Sequence, residues 1–220
     1  MLVVLIMYLL ICTANASAQE AYFSDINGVP LKEKKVNIVE GSIYLSDNWV
    51  KGSVKFKNGK SANDIELRFD QLNGLLVFRN DKNQEFTFVS DVAEFRIPYT
   101  LDGLQYPGVF RSGFPNVKGL RGNTFLEVLF DGRVKLLKQT VKSLLETKAF
   151  YSATTESTVV QESRYYIFKD GSLFPIKKDS ADILKILKDQ EQLNTYIKEK
   201  KPKLKDDQAL IQLMTYYDSL

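Results

Sequence analysis

Hydrophobic and polar residues alternate with a period of two along most of this chain, and turn residues cut the alternation into short runs. The clearest stretch is Gly41 to Val89. Val54 and Phe56 alternate with Lys55 and Lys57, and Ile65, Leu67 and Phe69 with Glu66, Arg68 and Asp70. Leu75 to Phe78 is apolar on both faces and predicts a central strand; Phe86 and Phe88 flank Thr87. Asn58-Gly59, Asn73-Gly74 and Asn80 to Asn83 separate these runs. This pattern predicts a four-stranded antiparallel meander, with a type I′ turn at Asn58-Gly59.

Further strands follow. Phe95 and Ile97 continue the alternation up to Pro98, which ends pairing or marks an edge. Thr124 to Phe130 and Arg133 to Leu145 read as a hairpin turning at Asp131-Gly132. Thr158 to Lys169 turns at Asp170-Gly171 into Ser172 to Ile176. Several of these runs are apolar on both faces, so both faces need cover. Earlier in the chain, Asn27 to Pro30 reads as a turn, Lys32-Glu33-Lys34-Lys35 as a solvated run and Val36 to Val39 as a short strand.

The C-terminus changes period. Ser180 is placed to cap a helix over Ala181 to Lys188, and Asp189 with Gln192 forms a capping box for a second helix. The second helix buries Leu193, Tyr196 and Ile197 and stops at Pro202. In a third, Leu210, Leu213, Met214 and Tyr217 fall at i, i+3, i+4 and i+7. The fold class expected is mainly β: an antiparallel sandwich or partly closed barrel of about nine to eleven strands, with a short C-terminal helical annex. The divisions are a signal peptide over 1–18, a β domain over 19–176 and a helical annex over 177–220 packed on the sheet.

The signal peptide is read from the apolar run Leu2 to Ile11 and the small-residue end Ala16-Ser17-Ala18. The alternatives are a lipoprotein acylated at Cys12 and a retained anchor. Cys12 is the single cysteine and the chain has no histidine. A cleaved chain therefore holds neither residue, which removes Ser-His-Asp and Cys-His catalysis and the usual zinc, copper and haem ligands. No cofactor is expected. A net charge of +3, spread among mixed signs, is no footprint for nucleic acid.

The stretch Tyr99 to Asn123 differs in kind. It holds five of the twelve glycines together with Pro107 and Pro115. A segment this long is either a functional loop or hides an element, and a short strand is expected over Val109 to Phe114. Tyr99, Tyr106, Phe110 and Phe114 are the candidate binding residues; the competing reading packs the same rings as core. The paired carboxylates Asp64 with Glu66, and Asp91 with Glu94, are candidates for acid–base chemistry only if they face one another across a cleft.

Four stretches carry a resemblance: GSIYLSDNWVKGSVKFKNGK, GFPNVKG at Gly113 to Gly119, TFLEVLFDGRVKLLK at Thr124 to Lys138, and the tail from Ala181 to Leu220. Together they resemble uncharacterised exported β-rich envelope proteins of Bacteroidota. The resemblance implies a Gram-negative envelope protein, and the helical ending favours the periplasm or the periplasmic face of the outer membrane. It carries no site residues over. Three functions follow as expectations: a non-enzymatic accessory or binding protein with an envelope or outer-membrane protein as partner, a carrier of an apolar ligand in a half-open barrel, and a carboxylate-dependent hydrolase.

Mass spectrometry of the exported protein is expected to find Gln19 at the N-terminus, free or cyclised. An acylated Cys12 there would replace the soluble reading with a lipoprotein.

Overall fold

The computed structural model describes residues 28–31, 37–101, 103–148, 155–188 and 190–220. The leader with Cys12, the Lys32 to Lys35 run and Asp189 lie outside these residues.

The predicted meander is present. Strands β3 (Val50–Phe56), β4 (Ser61–Asp70), β5 (Leu75–Arg79) and β6 (Glu85–Phe88) pair in succession, all antiparallel. Ile65, Leu67 and Phe69 are buried, and β5 lies between β4 and β6 with Leu76, Val77 and Phe78 all buried. The turn at Asn58-Gly59 is not type I′, because only Gly59 has positive φ, at 87°. Asn58 Oδ1 accepts from the Lys60 N–H at 3.0 Å and Phe56 O from the Gly59 N–H at 3.0 Å, which closes a three-residue loop. The type I′ geometry occurs instead at Asp170-Gly171, where φ is 48° and 74°.

Three further strands change the expected inventory. Gly28 to Pro30, read as part of a turn, forms β1 (Gly28–Pro30) and pairs with β6 at one end of the sheet. Only glycine fits at residue 28, since a Cβ there would meet the Phe86 Cβ at 2.5 Å. Pro30 lacks an N–H and suits a terminal strand. The glycine-rich stretch hides a small hairpin, β8 (Tyr99–Leu101) and β9 (Leu104–Tyr106), besides the expected short strand β10 (Val109–Arg111). With β2 (Ile38–Glu40), β7 (Val92–Arg96), β11 (Leu126–Asp131), β12 (Lys135–Thr147), β13 (Glu156–Lys169) and β14 (Ser172–Ile176), the described residues hold fourteen strands rather than nine to eleven.

One large sheet runs in the order β1-β6-β5-β4-β3-β7-β10-β11-β12-β13-β14. In a flat sheet β4 and β12 would stand about 24 Å apart, five spacings of about 4.8 Å. Yet the Phe69 ring at the end of β4 lies 5.2 Å from Phe110 and 6.0 Å from Phe125, and Phe69 shares a cavity with Gln139 and Thr140 of β12. The sheet is therefore curled. Residues 38–47 strap the curl: β2 runs parallel to β13 at Ser157 and Thr158, and Tyr44 then bridges Asp70 at the end of β4. Among the described residues the sheet does not close into a barrel.

Register places one row of side chains on one face across eight strands. Its members are Ala62, Val54, Phe95, Phe110, Glu127, Lys138, Tyr165 and Ile176, each directly opposite the next. At one end of the row lies a core built on Phe69, Phe95 and Phe110. The other end lies under α1 (Ser180–Ile186), α2 (Gln190–Lys200) and α3 (Asp207–Ser219). Leu193, Leu210, Leu213, Met214 and Tyr217 are buried there with Leu136 and Ile167. On the opposite face, Leu126, Leu137, Tyr166 and Leu173 pack with Leu120 and Phe114 from the glycine-rich stretch. Both faces of the doubly apolar strands thus have cover, helices on one and loop on the other.

The caps differ in detail from the expectation. Asp179, not Ser180, caps α1 by accepting from the Asp182 N–H at 2.9 Å, and the helix ends at Ile186. Asp206 caps α3. The far end of α3 meets the β11–β12 turn, where a Cβ on Gly132 would lie 2.5 Å from Asp218 Oδ1. Among the described residues no helix is long and apolar enough to cross a membrane.

Leu213→Ala removes a side chain with no exposed surface. It is expected to lower unfolding free energy by about 2–5 kcal/mol in urea denaturation. An unchanged midpoint would mean that α3 is not held by this core.

Candidate functional site

Glu127 and Lys138 interrupt the apolar row at its middle. Polar groups held there cost stability unless partners meet them. Lys138 is met by Asp207, the first residue of α3, whose Oδ2 accepts from Nζ at 2.8 Å. The same carboxylate takes Lys178 Nζ at 2.7 Å and the Tyr165 hydroxyl at 2.8 Å on Oδ1. Burial works to raise the Asp207 pKa, but the bonds from Lys138, Lys178 and Tyr165 hold it below its ordinary value.

Glu127 is met from the other side. It is 6% exposed, and its Oε1 accepts from the Tyr99 hydroxyl at 2.6 Å. The Tyr99 ring stacks on Tyr106 across the β8–β9 hairpin, with centroids 5.1 Å apart. Burial pushes the Glu127 carboxyl above its ordinary value against the opposing pull of Tyr99 and Lys138. Burial, then the neighbouring Glu127 carboxylate, raises the Tyr99 hydroxyl.

Beyond this pair the same face of β12 and β13 turns polar. Thr140 lies opposite Ser163, and Lys142 opposite Gln161. They floor a cleft of about 210 Å³, walled by the strap from Ser42 to Asp47 and by Tyr99 and Leu101 of the small hairpin, with Glu127 and Lys138 at its inner end. Lys142 fastens the strap to the floor: its Nζ donates to Ser42 O at 2.9 Å and to Tyr44 O. Burial depresses the Lys142 pKa, opposed by Asp47 and Asp70. Asp47 accepts from the Ser42 hydroxyl within the strap. A second cavity of about 330 Å³ lies at the end of β4, lined by Gln71, Asn73, Arg121, Asn123 and Gln139 among others.

The four aromatic candidates do not converge. Tyr99 and Tyr106 stand together, with Tyr99 on the cleft wall. Phe110 is core, stacked on Phe95 at 4.8 Å, and Phe114 packs edge-on against Phe168 at 5.4 Å on the opposite face. Nor do the candidate carboxylate pairs face each other across a cleft. Glu66 pairs with Arg79, Asp91 with Lys57, and Glu94 with both Arg111 and Arg96, while Asp64 is exposed.

The groups that do converge are Glu127, Lys138, Lys142 and Asp207, none of which the sequence reading singled out. A signal existed: Glu127 is the one charged residue in Phe125 to Phe130, and counting back from the Asp131-Gly132 turn brings it close to Lys138.

The two buried carboxylates have opposite pH signatures. The folded Glu127 value stands above the unfolded one, so wild type loses stability as pH rises through the window between them. Glu127→Gln keeps an acceptor for Tyr99 and is expected to gain on wild type through that window and to match it below. The folded Asp207 value stands below the unfolded one, so its contribution is full above the unfolded value and lost as pH falls through the folded one. Asp207→Asn is expected to melt lower at neutral pH, with the deficit closing in acid. Melting temperatures across pH check both; parallel curves for the two variants would refute the assignment.

No family model, no curated protein and no solved structure matches the chain.

Proposed function

We propose that this is a non-enzymatic binding protein of the cell envelope, exported by its leader, which takes hold of an envelope component at the cleft between the strap and β12. One observation carries the reading: a buried carboxyl, Glu127, is kept at the inner end of a polar cleft although leucine would pack there at lower cost. A buried ionisable group with a perturbed pKa and a specific partner in a cleft is a functional-site candidate.

The apolar carrier is less well supported. Lysine, glutamate, glutamine and hydroxyl side chains line the cleft, and an acyl chain would strip them of water without replacing their hydrogen bonds. A carboxylate-dependent hydrolase needs two carboxyls free to reach a substrate. Both oxygens of Asp207 are occupied by Lys138, Lys178 and Tyr165.

A photo-crosslinking residue in place of Ser46, at the cleft rim, tests this in native envelopes. It is expected to give a discrete adduct that the same residue in place of Phe174, on the far β14, does not give. Adducts of equal yield from both positions, or from neither, would overturn the proposal.

A further inference from the structure

The ions around the cleft already have partners within the chain. Lys138 is held by Asp207, Lys142 by two strap carbonyls, and Asp47 accepts from Ser42. None of the three therefore stands as a bare charge in the cleft. What the cleft offers instead is a set of short neutral and acceptor groups on a rigid two-stranded floor. Thr140 and Ser163 are direct cross-strand neighbours, Gln161 follows opposite Lys142, and Glu127 closes the end with Oε1 bonded to Tyr99. Hydroxyls both donate and accept, an amide does each from a separate atom, and a carboxylate accepts at both oxygens. Such a set recognises a ligand whose surface is itself made of hydroxyls. The cleft, of about 210 Å³, has room for a six-membered ring with its substituents.

Resting on the binding reading above, we propose that the cleft takes a single neutral, hydroxyl-rich ring: one sugar residue, either free or at the end of a glycan. Glu127 would accept from two adjacent hydroxyls, Thr140, Ser163 and Gln161 would fix their orientation, and the Tyr99 wall would cover an apolar ring face. The raised Glu127 pKa adds a pH dependence. The charged form is the stronger acceptor, so affinity rises as pH increases through the folded-state value.

Titration of the purified, isotope-labelled protein with glucose, galactose and N-acetylglucosamine tests the proposal by amide chemical shifts. At least one sugar is expected to give saturable shifts at Thr140, Lys142 and Ser163, while inorganic phosphate and spermidine give none there. Glu127→Gln and the surface variant Gln161→Leu are each expected to weaken that binding at least fivefold. Gln161 is exposed, so its variant reads binding even if the buried change disturbs the fold. Tighter binding of an oligosaccharide ending in the same sugar assigns the glycan as source, and equal affinity assigns the free sugar. A response to phosphate or spermidine alone, unchanged affinity in both variants, or no response to any sugar overturns the proposal. A Ser46 adduct obtained with no sugar response would sink the sugar and leave the binding reading standing.

Discussion

Two opposite charges sit in a row that is otherwise apolar, and much of the architecture answers to them. Glu127 and Lys138 are cross-strand neighbours with buried residues on either side of the pair. Removing a charge from water costs several kcal/mol unless it finds hydrogen bonds in return. The β8–β9 hairpin supplies Tyr99 to one, and the start of α3 supplies Asp207 to the other. Asp207 also draws in Lys178 from the segment between β14 and α1. The helices are thus held by two kinds of force that fix different things. The apolar stripe from Leu210 to Tyr217 provides most of the attraction, and the Asp207 contacts fix which way the helix lies along the sheet.

The same row divides the sheet into two apolar cores that share a face. Leucine at both polar positions would join them into one, with no reason for a cleft to open beside the seam. Charge at the seam keeps the adjoining stretch of β12 and β13 wet enough to carry Thr140, Ser163, Lys142 and Gln161. The cleft follows from the interruption, and the strap, tied down by Lys142, gives it a wall.

Local pattern carried most of the fold. Period-two alternation located the meander and the long hairpins, and the i, i+3, i+4, i+7 stripe located α3, because both signals depend only on which side of an element meets the core. Three of the five three-residue strands escaped. β1, β8 and β9 are too short to show alternation and are held by partners or by close backbone approach, as at Gly28. The Asn58-Gly59 turn was misread because the Asn58 side chain bonds the backbone locally and so removes the need for a second positive φ. The site was the least legible part. Tyr99 was visible as an aromatic in an unusual loop. Glu127, Lys138, Lys142 and Asp207 acquire meaning only when register and helix docking bring them together from three separate segments.

The strap also has a consequence for the order in which this protein is made. Ser42 and Lys142 are 100 positions apart in the chain, and the bond between them joins the first part of the sheet to one of the last. A ribosome delivers the strap early, but the strands it must reach come only after most of the sheet has been made. Closing so long a loop is slow, and contacts of high sequence separation form late. Until β12 and β13 arrive, residues 38–47 have only the end of β4 to rest on. The cleft therefore cannot form before β12 and β13 arrive, and a chain caught before that moment can have most of its meander and no site.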